Sequence, residues 1–251
     1  MLSLANVESI VGLITIILAY FFVVTISGYC RAWVAVRMGD ETPEYMGFLT
    51  LSPLNHADPI GLFFLILFGF GWGRYIPIMP FNISGRFRKL KLFIANFSDV
   101  FVNLFIATVS LIWLVMYLGK YVLDRSVRIM LLLLRNDAGL FGFVKSINII
   151  RLSLVKAYPT SSSFAISMVL ITIAIMYLSV LLAVLNFIIS GFGFLYTMFK
   201  DRMYFFGKYS NLFIILIPMF LIFFLIGPLR LLVAFGIKYF VSILAKLLGF
   251  Y

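Results

Sequence analysis

From Ser161 to Phe199 the chain runs without a single charged residue. A helical crossing of a bilayer core needs about 20 apolar residues, so this stretch exceeds one simple crossing. Asn186, Ser190, Gly191 and Gly193 predict a break near its end. Further charge-free runs occupy Ser9–Cys30, Val100–Gly119 and Ser210–Leu229. With 64% hydrophobic and 12% charged residues and a mean hydropathy of +1.14, the sequence reads as a polytopic membrane protein. The runs do not alternate polar and apolar positions, which argues for helices and against a β-barrel. The expected fold is all-α, a single membrane domain over residues 1–251 with about five to six transmembrane helices plus re-entrant and interfacial segments.

The connections are more varied. Leu51–Gly61 is polar and carries prolines, which predicts a loop. The apolar run that follows, Ile60–Gly73, is short for a span; it reads either as re-entrant or as a crossing lengthened by Tyr75–Pro80. Residues 121–157 form a basic connector. Within it Asp124, Arg125, Arg128 and Arg135 share an arc of about 100° on a helix whose remaining positions are mostly apolar. That pattern predicts a helix at residues 121–135 lying in the interface, its arginines on lipid headgroups, or else a capping helix packed on the protein. Leu231–Tyr251, with Lys238 and Lys246, either crosses the membrane or lies on it. Orientation stays open, because the balance of Lys and Arg between the two sides depends on whether Ile60–Gly73 crosses.

No basic n-region precedes the first apolar run and no small-residue cleavage site follows it, so residues 9–38 read as a retained helix. One cysteine excludes an intramolecular disulfide framework. The net charge of +11 fits contact with anionic lipid; no nucleic-acid motif accompanies it.

The first helix ends in Ser27-Gly28-Tyr29-Cys30-Arg31. Beyond it come Gly39-Asp40, Leu49-Thr50-Leu51-Ser52-Pro53, His56-Ala57-Asp58-Pro59-Ile60-Gly61, Gly69-Phe70-Gly71-Trp72 and the Pro77–Asn82 segment. This frame resembles the site-2 protease family of intramembrane zinc metalloproteases. The likeness is close over roughly residues 10–120 and loose over 175–230. It implies a His-Glu-x-x-His motif where this chain has Ser27, Gly28 and Arg31. A third zinc ligand, an aspartate, is implied at Phe194, in a segment opening at Asn186. Two imidazoles one helical turn apart and a carboxylate base are what zinc hydrolysis requires. Here the corresponding positions hold a hydroxyl, a hydrogen, a guanidinium and a phenyl ring. No acidic residue lies between Asp137 and Asp201, so no register shift within the fourth run restores the aspartate.

Other polar residues have plainer readings beside functional ones. His56 reads as a hydrogen-bonded loop histidine; a new zinc site from Cys30, His56 and Asp58 would need two ligands from one loop. Asp58-Pro59 reads as a helix N-cap with proline at the first position. Asp99, with Asn103 one turn on, forms a polar stripe that either caps its span or works within it. Arg31 either snorkels to water or pairs with Asp58 or Asp99, a fixed cation where the family holds its metal. The resemblance with these substitutions leads to an expected pseudoprotease: a scaffold, adaptor or complex subunit binding other membrane proteins in a bacterial cytoplasmic membrane, with no metal or cofactor. A protease with a noncanonical site and a transport component are the alternatives.

Overall fold

A computed structural model describes residues 4–69, 71–136 and 139–199, together with the single residues 236, 239, 242, 243 and 246. The expected span Ser210–Leu229 and most of Leu231–Tyr251 lie outside the described residues. The described chain is helical: α1 Leu4–Arg37, α2 Thr42–Tyr45, α3 Pro53–His56, α4 Pro59–Phe68, α5 Arg88–Asn136, α6 Gly139–Ala157 and α7 Ser163–Phe199. Three stretches, Ile10–Arg37, Arg88–Leu118 and Ser163–Leu195, are long and apolar enough to cross a membrane.

Their packing follows from where their apolar faces meet. Ile16, Tyr20, Val23 and Val24 of α1 share one core with Leu111, Leu114 and Val115 of α5 and with Leu170 to Leu185 of α7. At the other end of the bundle, Arg31 meets Asp99 and Ser190. Thus α1 and α7 run parallel, and α5 runs antiparallel to both. Helix α6 joins this core through Val144, Ile147, Ile150 and Leu154, spaced at three and four residues so that they share a face, while Lys145 and Lys156 are exposed.

Two expectations need correction. The charged segment 121–135 is not a separate helix; it continues α5 without a break to Asn136. Charge signals where a helix meets water, whereas ending one takes a proline or a glycine-rich turn, and Leu118-Gly119-Lys120-Tyr121 offers one glycine alone. The side chains of Arg125, Arg128 and Arg135 lie outside the described set. Likewise α7 runs unbroken through Asn186–Gly193. A helical glycine costs about 1 kcal/mol, less than leaving backbone groups unpaired in an apolar setting. Asp99, for its part, does not cap a helix end, since α5 starts at Arg88, three turns earlier.

The short run Ile60–Gly73 begins and ends at one place. Ala57 and Gly73 form an antiparallel bridge, and Arg74 N donates to the His56 carbonyl at 2.6 Å. Between them α4 rises and stops at Gly69, whose φ of 70° is a left-handed cap. The returning strand then passes so close that a Cβ on Gly61 would overlap the Trp72 backbone, and one on Gly71 the Gly61 carbonyl. Tyr20 clamps both arms: its hydroxyl donates to the Trp72 carbonyl at 2.8 Å and accepts from Asp58 N at 3.3 Å.

Gly61→Ala and Gly71→Ala should each destabilise the protein by about 1–3 kcal/mol, because backbone must give way. Gly191→Ala, with nothing within 4 Å of its Cβ, should be neutral or stabilise by up to about 1 kcal/mol. Thermal unfolding of the three variants in one detergent compares them directly.

Candidate functional site

Ser27, Gly28 and Arg31 lie on the C-terminal half of α1, with Ser27 and Arg31 one turn apart on one face. Ser27 is buried and donates its hydroxyl to the Val23 carbonyl at 2.8 Å, a back-bond typical of serine inside helices. Arg31 Nη1 donates to Asp99 Oδ2 at 2.6 Å; both side chains are 8% exposed. The same nitrogen lies 3.3 Å from Ser190 Oγ of α7. The Tyr75 ring sits 5.7 Å from the guanidinium carbon, within the range of a cation–π contact. One side chain therefore joins α1, α5, α7 and the segment leaving the hairpin. Of the two acidic partners expected for it, Asp99 takes the role. Asp58 instead accepts from Ile60 N at 3.0 Å, capping α4, and from Trp72 Nε1 at 2.8 Å, closing the hairpin.

His56 is 1% exposed. Its Nε2 lies 2.7 Å from the Thr50 carbonyl, an acceptor, so Nε2 carries the proton and Nδ1 presents a lone pair. That Nδ1 has no hydrogen-bond partner among the described residues. It faces α1 at Gly28, where an added Cβ would overlap it. Burial, the largest influence, lowers the His56 pKa below its ordinary value; the Thr50 contact opposes this and the Arg74 charge adds to it. The imidazole is neutral at pH 7.

The remaining positions are spread along the bundle. Phe194 is half-buried, with its ring 5.7 Å from Phe93 and 6.1 Å from Phe97. Asn103 is fully buried, and neither atom of its amide has a partner among the described residues. Asn186 lies on α7 one turn before Ser190. Cys30 is partly exposed and lies about 100° around α1 from Arg31. Among the described residues no three His, Cys, Asp or Glu side chains cluster closely enough to hold a metal ion. The four residues that the resemblance singles out, Ser27, Gly28, Arg31 and Phe194, do not suit zinc. Ser27's proton is committed to Val23, Gly28 has no side chain, Arg31 is cationic and paired, and Phe194 packs edge-to-face against the Phe93 and Phe97 rings.

Asp40 stands in the sequence only as part of the Gly39-Asp40 frame, with no signal of the role it takes in the fold. Its carboxylate is fully buried and accepts from Thr42 Oγ1 at 2.6 Å, Thr42 N at 3.2 Å, Met79 N at 2.7 Å and Asn82 Nδ2 at 2.8 Å. Burial would raise its pKa, yet these four hydrogen bonds together hold it below the ordinary 3.8. Gly39-Asp40-x-Thr42 signals a local Asx turn; nothing in the sequence signals the distant partners Met79 and Asn82.

Arg31→Ala should cost roughly 3–5 kcal/mol of stability by stranding Asp99. Arg31→His should not restore it fully, because the shorter side chain cannot reproduce the guanidinium's contacts with both Asp99 and Ser190. Arg31→Leu combined with Asp99→Leu should recover most of the loss, and unfolding of the single and double variants measures the coupling. Asp40 should show in the pH dependence. A carboxyl held below its unfolded pKa contributes stability above about pH 4 that is lost as pH falls through the folded value. Asp40→Asn should flatten that acid limb and cost about 2–3 kcal/mol at pH 7, both readable from unfolding curves taken between pH 3 and 7.

A Bacillus subtilis (strain 168) protein named "Putative zinc metalloprotease YwhC" is 40% identical to this chain over 65 residues, which are 26% of this chain and 28% of that protein. The matched stretch thus spans little more than a quarter of either chain. No family model matches the sequence, and no solved structure matches the fold. Over that stretch the chain is similar to a protein named as a zinc metalloprotease.

Proposed function

We propose that this chain is a pseudoprotease: a site-2-protease-like integral protein of a bacterial cytoplasmic membrane that binds other membrane proteins as a scaffold, adaptor or complex subunit without cleaving them. On this reading it crosses the membrane about five to six times, the charge-free Ser210–Leu229 supplying one crossing. The observation that carries the proposal is the Arg31–Asp99 pair. A permanent cation stands where the resemblance puts a zinc-ligating imidazole, and a permanently protonated guanidinium neither coordinates Zn²⁺ nor tolerates one nearby. Gly28 supports the same reading, since the position of the catalytic carboxylate has no side chain and is closed over by His56. The likeness to a protein named as a zinc metalloprotease is what favours the alternative, a protease with a noncanonical site.

Elemental analysis of the purified protein separates the two, the expected result being no stoichiometric zinc. About one zinc per chain, lost on mutating His56 or Cys30, would overturn the proposal. Ser27→His, Gly28→Glu and Arg31→His together should still yield no cleavage of membrane-helix substrates: the third ligand is absent at Phe194, the new glutamate meets His56, and Asp99 is stranded.

A further inference from the structure

Polar residues on the three long helices fall into matching layers. On α1, Tyr20, Ser27 and Arg31 lie within an arc of about 40°; so do Asp99, Asn103 and Ser110 on α5, and Ser179, Asn186 and Ser190 on α7. The spacing along α5 is that of α1 reversed, as antiparallel packing requires, and the spacing along α7 repeats that of α1. The hydrogen bonds of Arg31 to Asp99 and to Ser190 fix the register of all three helices. Stepping one turn from that layer brings Ser27, Asn103 and Asn186 to one level, and two further turns bring Tyr20, Ser110 and Ser179. The seam is about 16 Å long at 1.5 Å rise per residue.

Its first layer is closed by the ion pair. The second is not satisfied by the described residues. Both atoms of the Asn103 amide are buried without a partner among the described residues, as are Arg31 Nε above it and Ser179 Oγ below it. The Ser27 hydroxyl has given its proton to Val23 and can only accept. A buried amide left bare is costly, and the unpaired Asn103 amide and Arg31 Nε, on adjacent layers, point to one shared partner, while Ser179 Oγ lies two turns beyond its reach.

We propose that the Asn103 layer is a binding site for ordered water. Water both donates and accepts, and it can take a proton from Arg31 Nε or Asn103 Nδ2 while giving one to Asn103 Oδ1 or Ser27 Oγ. An anion is disfavoured, because Asp99 already balances Arg31 at one turn's distance and Asn103 Oδ1 would face it. Asn186, on the same level of α7, is only partly buried.

The test uses the full-length protein in lipid, with ¹⁵N-labelled asparagine and arginine side chains. Water-edited solid-state NMR should show rapid transfer from water to the Asn103 amide and to Arg31 Nε, with the Asn103 signal assigned by its loss in Asn103→Leu. Asn103→Leu should lower the Tm by roughly 2–8 °C, since it removes a satisfied group and uncovers Arg31 Nε. No transfer to the Asn103 amide would overturn the proposal whatever the variant does. A Tm raised by Asn103→Leu would do the same, for that is the response of an amide with no partner at all. If the variant does not fold, the wild-type spectrum, compared with that of Asn103→Asp for assignment, decides alone.

Discussion

The Arg31–Asp99 pair is the constraint on which the arrangement of the three long helices turns. A charge taken out of water loses several kcal/mol of solvation, recovered only through close geometry and further hydrogen bonds. Here the contact is 2.6 Å, Ser190 adds a neutral partner and Tyr75 an aromatic face. Apolar helices in contact can slide by a turn at small cost, since one aliphatic surface resembles the next. A buried ion pair cannot, because a shift of one turn would leave two opposite charges alone in a poorly hydrated interior. The pair fixes register, and by doing so decides which of the other polar residues meet. Its net contribution to stability is a separate matter, since well-packed leucines could serve as well or better.

Around this fixed end the chain makes two closures. One is the hairpin from Ala57 to Gly73, held by Asp58, Trp72 and the Tyr20 hydroxyl. The other is the Asp40 carboxylate, which gathers Thr42, Met79 and Asn82. Both tie the ends of irregular segments to α1 or to its exit, and both work through a carboxylate, partly buried at Asp58 and fully buried at Asp40, whose donors are supplied by the chain. Backbone that is neither helix nor sheet keeps one shape when its polar groups are met in this way. Tyr75 links the closures to the ion pair, as it lies between the hairpin's return and Met79.

The membrane class and the three long helices were legible from uninterrupted hydropathy, because lipid selects on composition over a length it sets itself. Helix ends were less so. Val100–Gly119 is the charge-free part of a helix that starts at Arg88 and continues to Asn136; charge excludes a residue from the bilayer core, not from a helix. Asp58 could be read as a cap because its evidence is local, aspartate followed by proline. The choice between Asp58 and Asp99 as Arg31's partner was not readable, since it depends on helices distant in sequence. Asp40 was missed for the same reason: its local turn is visible in four residues, but its burial comes from Met79 and Asn82. The hairpin was ambiguous in sequence because a run of that length suits either a short span or a return, and only the Ala57–Gly73 bridge distinguishes them.

Under the proposed reading, the replacements at the former active site hold one another in place. Gly28 leaves room that the His56 ring fills. His56 is fixed through Nε2 by Thr50, and its own carbonyl receives Arg74 N at the mouth of the hairpin. A side chain at position 28 would push the imidazole away from Thr50 and pull on the Ala57–Gly73 bridge. Losing the cation at position 31 would strand Asp99 and release Ser190 and Tyr75. On that reading each substitution toward a metal site would be opposed by contacts that the present side chains make, and would meet a structural cost before any catalytic gain could follow. That asymmetry, residing in His56 and Asp99 more than in the altered motif itself, is how a helix bundle of this kind would keep its architecture while no longer serving a metal.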